Sequence, residues 1–209
     1  MAPLTYWAII CHMTYGDEIR RKLIHLGSAA FPLAYWATDR QFMLRVLVPL
    51  AAVAIVAETL RRLSPGFRAF IDRWLGRVLR RTEAHTFTGA TYVTVANLLA
   101  IVLFEKPIAI TVLLFLSVSD ALASLVGIRF GTVRFLGKSL AGSMAFFVSG
   151  AAIALYVLRA TPLVGLAGAL IGTVVEALSL KIGAHKLDDN LSIPLITGAA
   201  MTGLQAALT

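Results

Sequence analysis

Charge is scarce in this chain, and acid is scarcer than base. Of 209 residues only 14% are charged, with 11 acids against 19 bases. Three stretches, Thr86–Phe104, Ser139–Leu158 and Leu191–Thr209, carry no charged side chain. With 58% hydrophobic residues and a mean hydropathy of +0.82, this balance excludes an ordinary soluble domain. Cys11 is the only cysteine, so no disulfide can form within the chain. Low-complexity tracts and clear internal repeats are absent, and no connection is long enough to hold a second core. The chain reads as a single domain over 1–209. The opening apolar stretch, Pro3–Met13, has no basic n-region and no A-x-A-like site, so it does not read as a signal peptide, and it is too short to span a bilayer. The Walker A pattern is also missing, which excludes a P-loop nucleotide site.

What is present is hydrocarbon in spans of membrane length. Leu23–Thr38, Phe42–Leu60, Pro107–Ile128 and Ala160–Leu180 join the three uncharged stretches. These predict an all-α integral membrane protein of about seven transmembrane helices. Between the second and third, Phe67, Phe70, Ile71, Trp74, Leu75 and Val78 recur at helical spacing among arginines. That pattern predicts an amphipathic interfacial helix near 65–80.

A net charge of +8 and a pI of about 10.2 invite a nucleic-acid reading, but the distribution argues against one. Under the seven-helix reading fifteen of the nineteen bases fall on one side, leaving Arg40, Arg45, Lys106 and Arg159 on the other. The positive-inside rule makes the basic side cytoplasmic, with the N-terminus inside. Such bases set topology and touch anionic lipid whether or not they do more.

The acids then become informative. Glu58, Asp120 and Glu176 lie within spans, and all three sit towards the cytoplasmic ends, as does His25. At 1.5 Å per residue, Asp120 is roughly 10 Å below the helix end near Gly127. A carboxylate in hydrocarbon costs at least ~2.5–3.5 kcal/mol unless something compensates. Four polar groups from four helices at similar depth predict a water-accessible cavity open to the cytoplasm.

Four stretches carry the pattern: "RRKLIHLG" (20–27), "RRTEAHTFTGATY" (80–92), "SDALASLVGIRFG...GKSLAGSMAFF" (119–147) and "VEALSLKIGAHKLDDNLSIPL" (175–195). In order and spacing they resemble the CTP-dependent lipid-alcohol kinases: dolichol kinase, phytol and farnesol kinases, and the yeast-type CTP-using diacylglycerol kinase. The third stretch is the most specific. It holds an Asp-x-x-Ala-x-x-x-Gly-x-x-x-Gly run from Asp120, then Lys138-Ser139-x-x-Gly142-Ser143. The resemblance covers about residues 20–198. It implies transfer of the γ-phosphoryl group of CTP, with a divalent metal, to the hydroxyl of a membrane lipid. Two departures stand out: Ser119 where the family often has Gly, and Ala141-Gly142 where it often has Glu-Gly. The second removes a carboxylate.

Phosphoryl transfer is mostly positioning plus neutralisation of triphosphate charge. It calls for carboxylates on Mg²⁺ (or Mn²⁺) and for Lys and Arg on phosphate oxygens. Asp120 is the first choice for metal, with Asp188 or Asp189 as second anchor. Asp120, Lys138 and Glu176 are the catalytic candidates, and either Asp120 or Glu176 could accept the proton. Arg129, Arg134, Lys138, Ser139 and Gly142, with Arg21, Lys22 and His25, are candidates for the nucleotide. Gly127, Gly131, Gly137 and Gly142 would let backbone approach it closely. Thr88, Thr91, Tyr92 and Asn190 are candidates for the lipid.

Each pick has a structural rival. Asp120 can meet Ser117 and Ser124 on one helix face; Glu176 can pair with His25 or an arginine; Glu58 sits at ion-pair spacing from Arg61 and Arg62. Ser139 can begin a helix, Asp188-Asp189-Asn190 can cap one, and Gly168 and Gly172 suit close helix packing.

The expected partners are CTP and a membrane lipid alcohol, an isoprenoid alcohol before diacylglycerol, with no nucleic acid. A homo-oligomer is left open. The expected location is the cell membrane, with the active site facing the cytoplasm. Two other functions fit less well. Phosphatidate cytidylyltransferases carry Lys-Asp and His-Gly-Gly...Asp-Arg signatures that residues 181–209 lack. An ion-coupled transporter should carry polar groups past the midplane, where these helices are nearly bare.

Overall fold

The computed structural model describes residues 15–75, 87–178, 180–182 and 185–208. Among these the helices run α1 (Tyr15–Gly27), α2 (Ala30–Ala37), α3 (Arg40–Leu63), α4 (Pro65–Leu75), α5 (Gly89–Leu103), α6 (Lys106–Leu114), α7 (Asp120–Phe130), α8 (Leu140–Val157), α9 (Pro162–Leu178) and α10 (Asp189–Leu208). A π-helical turn, Phe115–Ser119, joins α6 to α7. Two short antiparallel hairpins complete the set: β1 (Arg134–Phe135) with β2 (Lys138–Ser139), and β3 (Lys181–Ile182) with β4 (His185–Lys186). The all-α expectation holds.

Among the described residues four helical segments are long and apolar enough to cross a membrane: Arg40–Leu63, Lys106–Phe130, Leu140–Val157 and Asp189–Leu208. Gly89–Leu103 and Pro162–Leu178 are shorter apolar helices. Lys106–Phe130 is the centre of the bundle. Ile108 to Leu113 are all buried, and the one polar residue among them, Thr111, donates its hydroxyl to the Pro107 carbonyl. A helix apolar all round has no solvated face and belongs inside. The π turn and α7 pack on α8, and α6 packs on α2, α5 and α10. The outer helices turn apolar faces outward, with Val53 65% exposed on α3, Val148 61% on α8 and Leu163 70% on α9. A surface of that kind suits hydrocarbon.

Two local features depart from the reading by apolar runs. The segment Leu23–Thr38 is not one helix. α1 begins well before it and stops at Gly27, where the Ser28 hydroxyl donates to the His25 carbonyl at 2.6 Å and Pro32 has no N–H to continue the ladder. The π turn is the second. The Asp120 amide donates to the Phe115 carbonyl, an i to i−5 bond that inserts one extra residue before Asp120. The expected face of Asp120 with Ser117 is thereby broken, and Ser117 donates to the Leu113 carbonyl instead. Where the sequence predicts an interfacial helix, a helix is observed as α4; the expected continuation over 76–80 lies outside the described residues, as does "RRTEAHT", 80–86.

Candidate active site

One end of the bundle collects the β1–β2 hairpin, the last turn of α9 and the first turn of α10. Leu136 lies at the hairpin tip with φ 52°, a left-handed conformation unusual for leucine. The next amide, Gly137 N–H, donates to the Ala177 carbonyl at 2.9 Å and so ties the tip to the end of α9. Lys138 follows. Its Nζ lies 2.7 Å from Glu176 Oε1 and 3.0 Å from Asp189 Oδ2, joining three separate segments. Burial works against the charge on Lys138. The carboxylates of Asp189, Asp120 and Glu176 outweigh it and hold the ammonium above the usual lysine range. Lys138 is therefore a cation at any working pH, suited to anions and not to proton abstraction.

Beside it Asp120, at the start of α7, meets α1. Lys22 Nζ donates to Asp120 Oδ2 at 2.6 Å, and both residues are 5% exposed. His25 Nε2 lies 3.6 Å from the same oxygen and 2.8 Å from the Leu116 carbonyl, which fixes the ring. Asp120 thus faces two basic side chains one turn apart on α1. Glu176 pairs with Lys138, not with His25 or an arginine as its spacing allowed.

The remaining candidates divide. Ser139 caps α8, accepting from Gly142 N–H at 3.2 Å. Gly142 packs where a Cβ would lie 2.7 Å from the Ala123 carbonyl, and a Cβ on Gly127 would lie 2.8 Å from Ser139 Oγ. In this structure these glycines bring α7 against α8. Arg129 and Arg134 are exposed near the hairpin, Arg129 with its guanidinium over Phe130, and Arg21 is half-buried on α1. Asp188 Oδ1 accepts from the Asn190 amide at 2.9 Å, the capping role its sequence allowed.

Thr88 and Thr91 belong to another cluster. Glu58 Oε1 accepts from Thr88 N–H at 3.0 Å and from the Thr91 hydroxyl at 3.5 Å, while Glu58 Oε2 accepts from Arg61 Nη2 at 2.8 Å. That cluster ties α3 to the start of α5. Tyr92 stacks edge-on against Phe87 and lies within electrostatic reach of Asp188, so it sits between the two clusters.

Sequence reading did not single out Ser119, Ser143 or Ser192 as site residues. The hydroxyls of all three are buried with no hydrogen-bond partner among the described residues, and so is Glu176 Oε2. Each such atom costs about 1–3 kcal/mol. A small hydroxyl in an apolar run reads as helix packing, so only the fold could bring them out. For a metal, the described residues hold no group of three His, Cys, Asp or Glu able to bind one unaided. They do offer hard carboxylate oxygens on Asp120, Glu176 and Asp189. That suits magnesium carried in on a triphosphate, which needs only one or two protein carboxylates.

No protein-family model and no solved structure matches the chain. Curated relatives do. An uncharacterised protein of Rickettsia prowazekii is 33% identical, over 87% of this chain and 91% of its own. The CTP-dependent diacylglycerol kinase 1 of Eremothecium gossypii is 30% identical, over 95% of this chain and 72% of its own. A probable chloroplastic phytol kinase of Triticum aestivum is 28% identical, over 87% and 65%.

Proposed function

The chain belongs to the family of CTP-dependent lipid kinases, and from that premise we propose that it transfers the γ-phosphoryl group of CTP to the hydroxyl of a lipid alcohol at the cytoplasmic face of the membrane. The observation that carries this reading is the convergence of Lys22 and Lys138 beside Asp120, Glu176 and Asp189, brought from distant parts of the chain.

The ion pairs are placeholders. Lys22 and Lys138 stand ready for phosphate oxygens, and each carboxylate holds its lysine in position until the triphosphate arrives. When phosphate takes the lysines, the carboxylates are released. Asp120 and Asp189 are then the residues to hold magnesium, which neutralises triphosphate charge when bound. Glu176 is left to accept the proton of the acceptor hydroxyl through Oε2, the oxygen that Lys138 does not use. The lipid oxygen forms its bond to the γ-phosphorus in line as the bond to the β-bridging oxygen breaks, giving lipid phosphate and CDP. Arg129, Arg134 and Arg21 line the approach for the anionic nucleotide.

The acceptor is a lipid with a primary hydroxyl. The sequence expectation favours an isoprenoid alcohol, and the named relatives include diacylglycerol kinases, so the test sets both classes side by side. Purified protein in detergent receives [γ-³²P]CTP or [α-³²P]CTP with farnesol, phytol, a longer polyprenol or diacylglycerol. Label entering lipid from the γ position alone is the expected result. Label from the α position would reveal cytidylyl transfer, and none from either would return the chain to the transporter reading.

A further inference from the structure

Deep to Lys138, four helical segments meet in a layer fixed by contacts. The rings of Phe115 in the π turn and Phe146 on α8 meet edge-to-face with centroids 6.0 Å apart. On α9, a Cβ at Gly172 would lie 3.1 Å from Phe146 and 3.4 Å from Thr197 Oγ1 of α10. One turn from this layer, towards the hairpin, three of the four segments present a polar group: Ser119 four residues after Phe115, Ser143 three before Phe146, and Glu176 four after Gly172. On α10 the corresponding residue is Ile193, packed in the same cluster as Phe115 and Phe146, with Ser192 adjacent. Ser119 is 0% exposed, Ser143 2%, Glu176 2% and Ser192 4%. Their hydroxyls and Glu176 Oε2 have no partner among the described residues.

Three segments each bury an unpartnered polar atom one turn above this layer, α10 adds Ser192 beside it, and Thr197 Oγ1 within the layer has no partner among the described residues either; alanine would fill each serine position at lower cost. Resting on the kinase reading above, we infer that Ser119, Ser143 and Ser192 form the seat of the acceptor hydroxyl, holding the lipid oxygen beside Glu176 Oε2. The chemistry balances at one oxygen. The acceptor O–H donates to the carboxylate, and its two lone pairs accept from two of the three serine hydroxyls at a time until one turns to phosphorus. The serines are positioning residues. They fix where the nucleophile stands, directly below the lysines that hold the phosphates. This ligand is a primary hydroxyl on a lipid, whichever class supplies it.

The test uses full-length protein in nanodiscs with phytol and, separately, dioleoylglycerol as probes. S143A, S192A and the S119A/S143A pair are read for acceptor KM, CTP KM and thermal midpoint. The seat predicts an acceptor KM raised roughly fivefold for each hydroxyl removed. The CTP KM should stay within about twofold, and the midpoint should be unchanged or higher because an unpartnered buried hydroxyl has gone. An unmoved acceptor KM, or both KM values rising together with a falling midpoint, would overturn it. Equilibrium binding of the same probes without nucleotide judges the seat independently. Wild-type protein that binds phytol or dioleoylglycerol through these serines but passes no label from CTP would refute the kinase reading and keep the seat. Binding unaffected in all the variants would refute the seat alone.

Discussion

At the scale of single residues, the pairs at Asp120 and Lys138 set the strongest expectations. Asp120→Asn keeps the shape but removes the charge that faces Lys22, and turnover should fall on the order of a hundredfold or more. Full turnover in that variant would remove Asp120 from the site. Lys22→Met should cost as much. In the double variant Lys22→Met/Asp120→Asn the stability loss should be smaller than the sum of the two single losses, because each single change strands a buried partner. Glu58 makes the contrast. Buried and bonded to Arg61, Thr88 and Thr91, it is structural, and Glu58→Ala should lower stability by about 3–5 kcal/mol. Its KM for CTP should not move, a split that a denaturation series and one kinetic assay would check. Asp120, Lys138 and Glu176 were legible as site candidates because charge is rare here and each rare charge must answer for itself. Their partners were not. Lys22 and Asp120 are separated by 98 residues, and no local spacing rule reaches that far.

Among the elements, the β1–β2 hairpin is the part whose removal should tell most. A single main-chain bond, Gly137 N–H to the Ala177 carbonyl, holds its tip against α9. Gly137→Pro deletes that donor, and Lys138 should lose its register with Glu176. The expected result is a raised KM for CTP with the helical content intact by circular dichroism. Leu136→Gly should do the reverse of harm, relieving a left-handed leucine that costs about 1–2 kcal/mol while leaving the KM for CTP unchanged. Apart from Leu23–Thr38, the helices themselves were readable, since long apolar runs leave little choice, and their observed ends fall within a few residues of the expected ones. The break at Ser28 and the π turn at Phe115–Ser119 were not. Both keep the apolar run unbroken and alter only its phase, which depends on which neighbour each face meets.

Over the whole molecule, the apolar outer faces and the unequal share of basic residues at the two ends support an orientation that labelling can check. Cys11 is the only cysteine, so a Cys11→Ser background allows one new thiol at a time. Leu136→Cys, at the exposed hairpin tip, should react with an impermeant maleimide only from the cytoplasmic side of sealed vesicles. Ala160→Cys, in the turn between α8 and α9, should react only from the other side. Equal labelling from both faces would undo the topology on which the site's orientation depends.

The ion pairs at Lys22 and Lys138 have one more consequence, for how a turnover ends. On the reaction proposed above, once CDP departs, a freshly made lipid phosphate of charge near −2 stands beside Asp120 and Asp189, and beside Glu176 once it has passed on the proton it took. Recoupling of those pairs would then eject the product into the leaflet and reset the catalyst, so lipid phosphate should inhibit only at concentrations well above the KM of its parent alcohol.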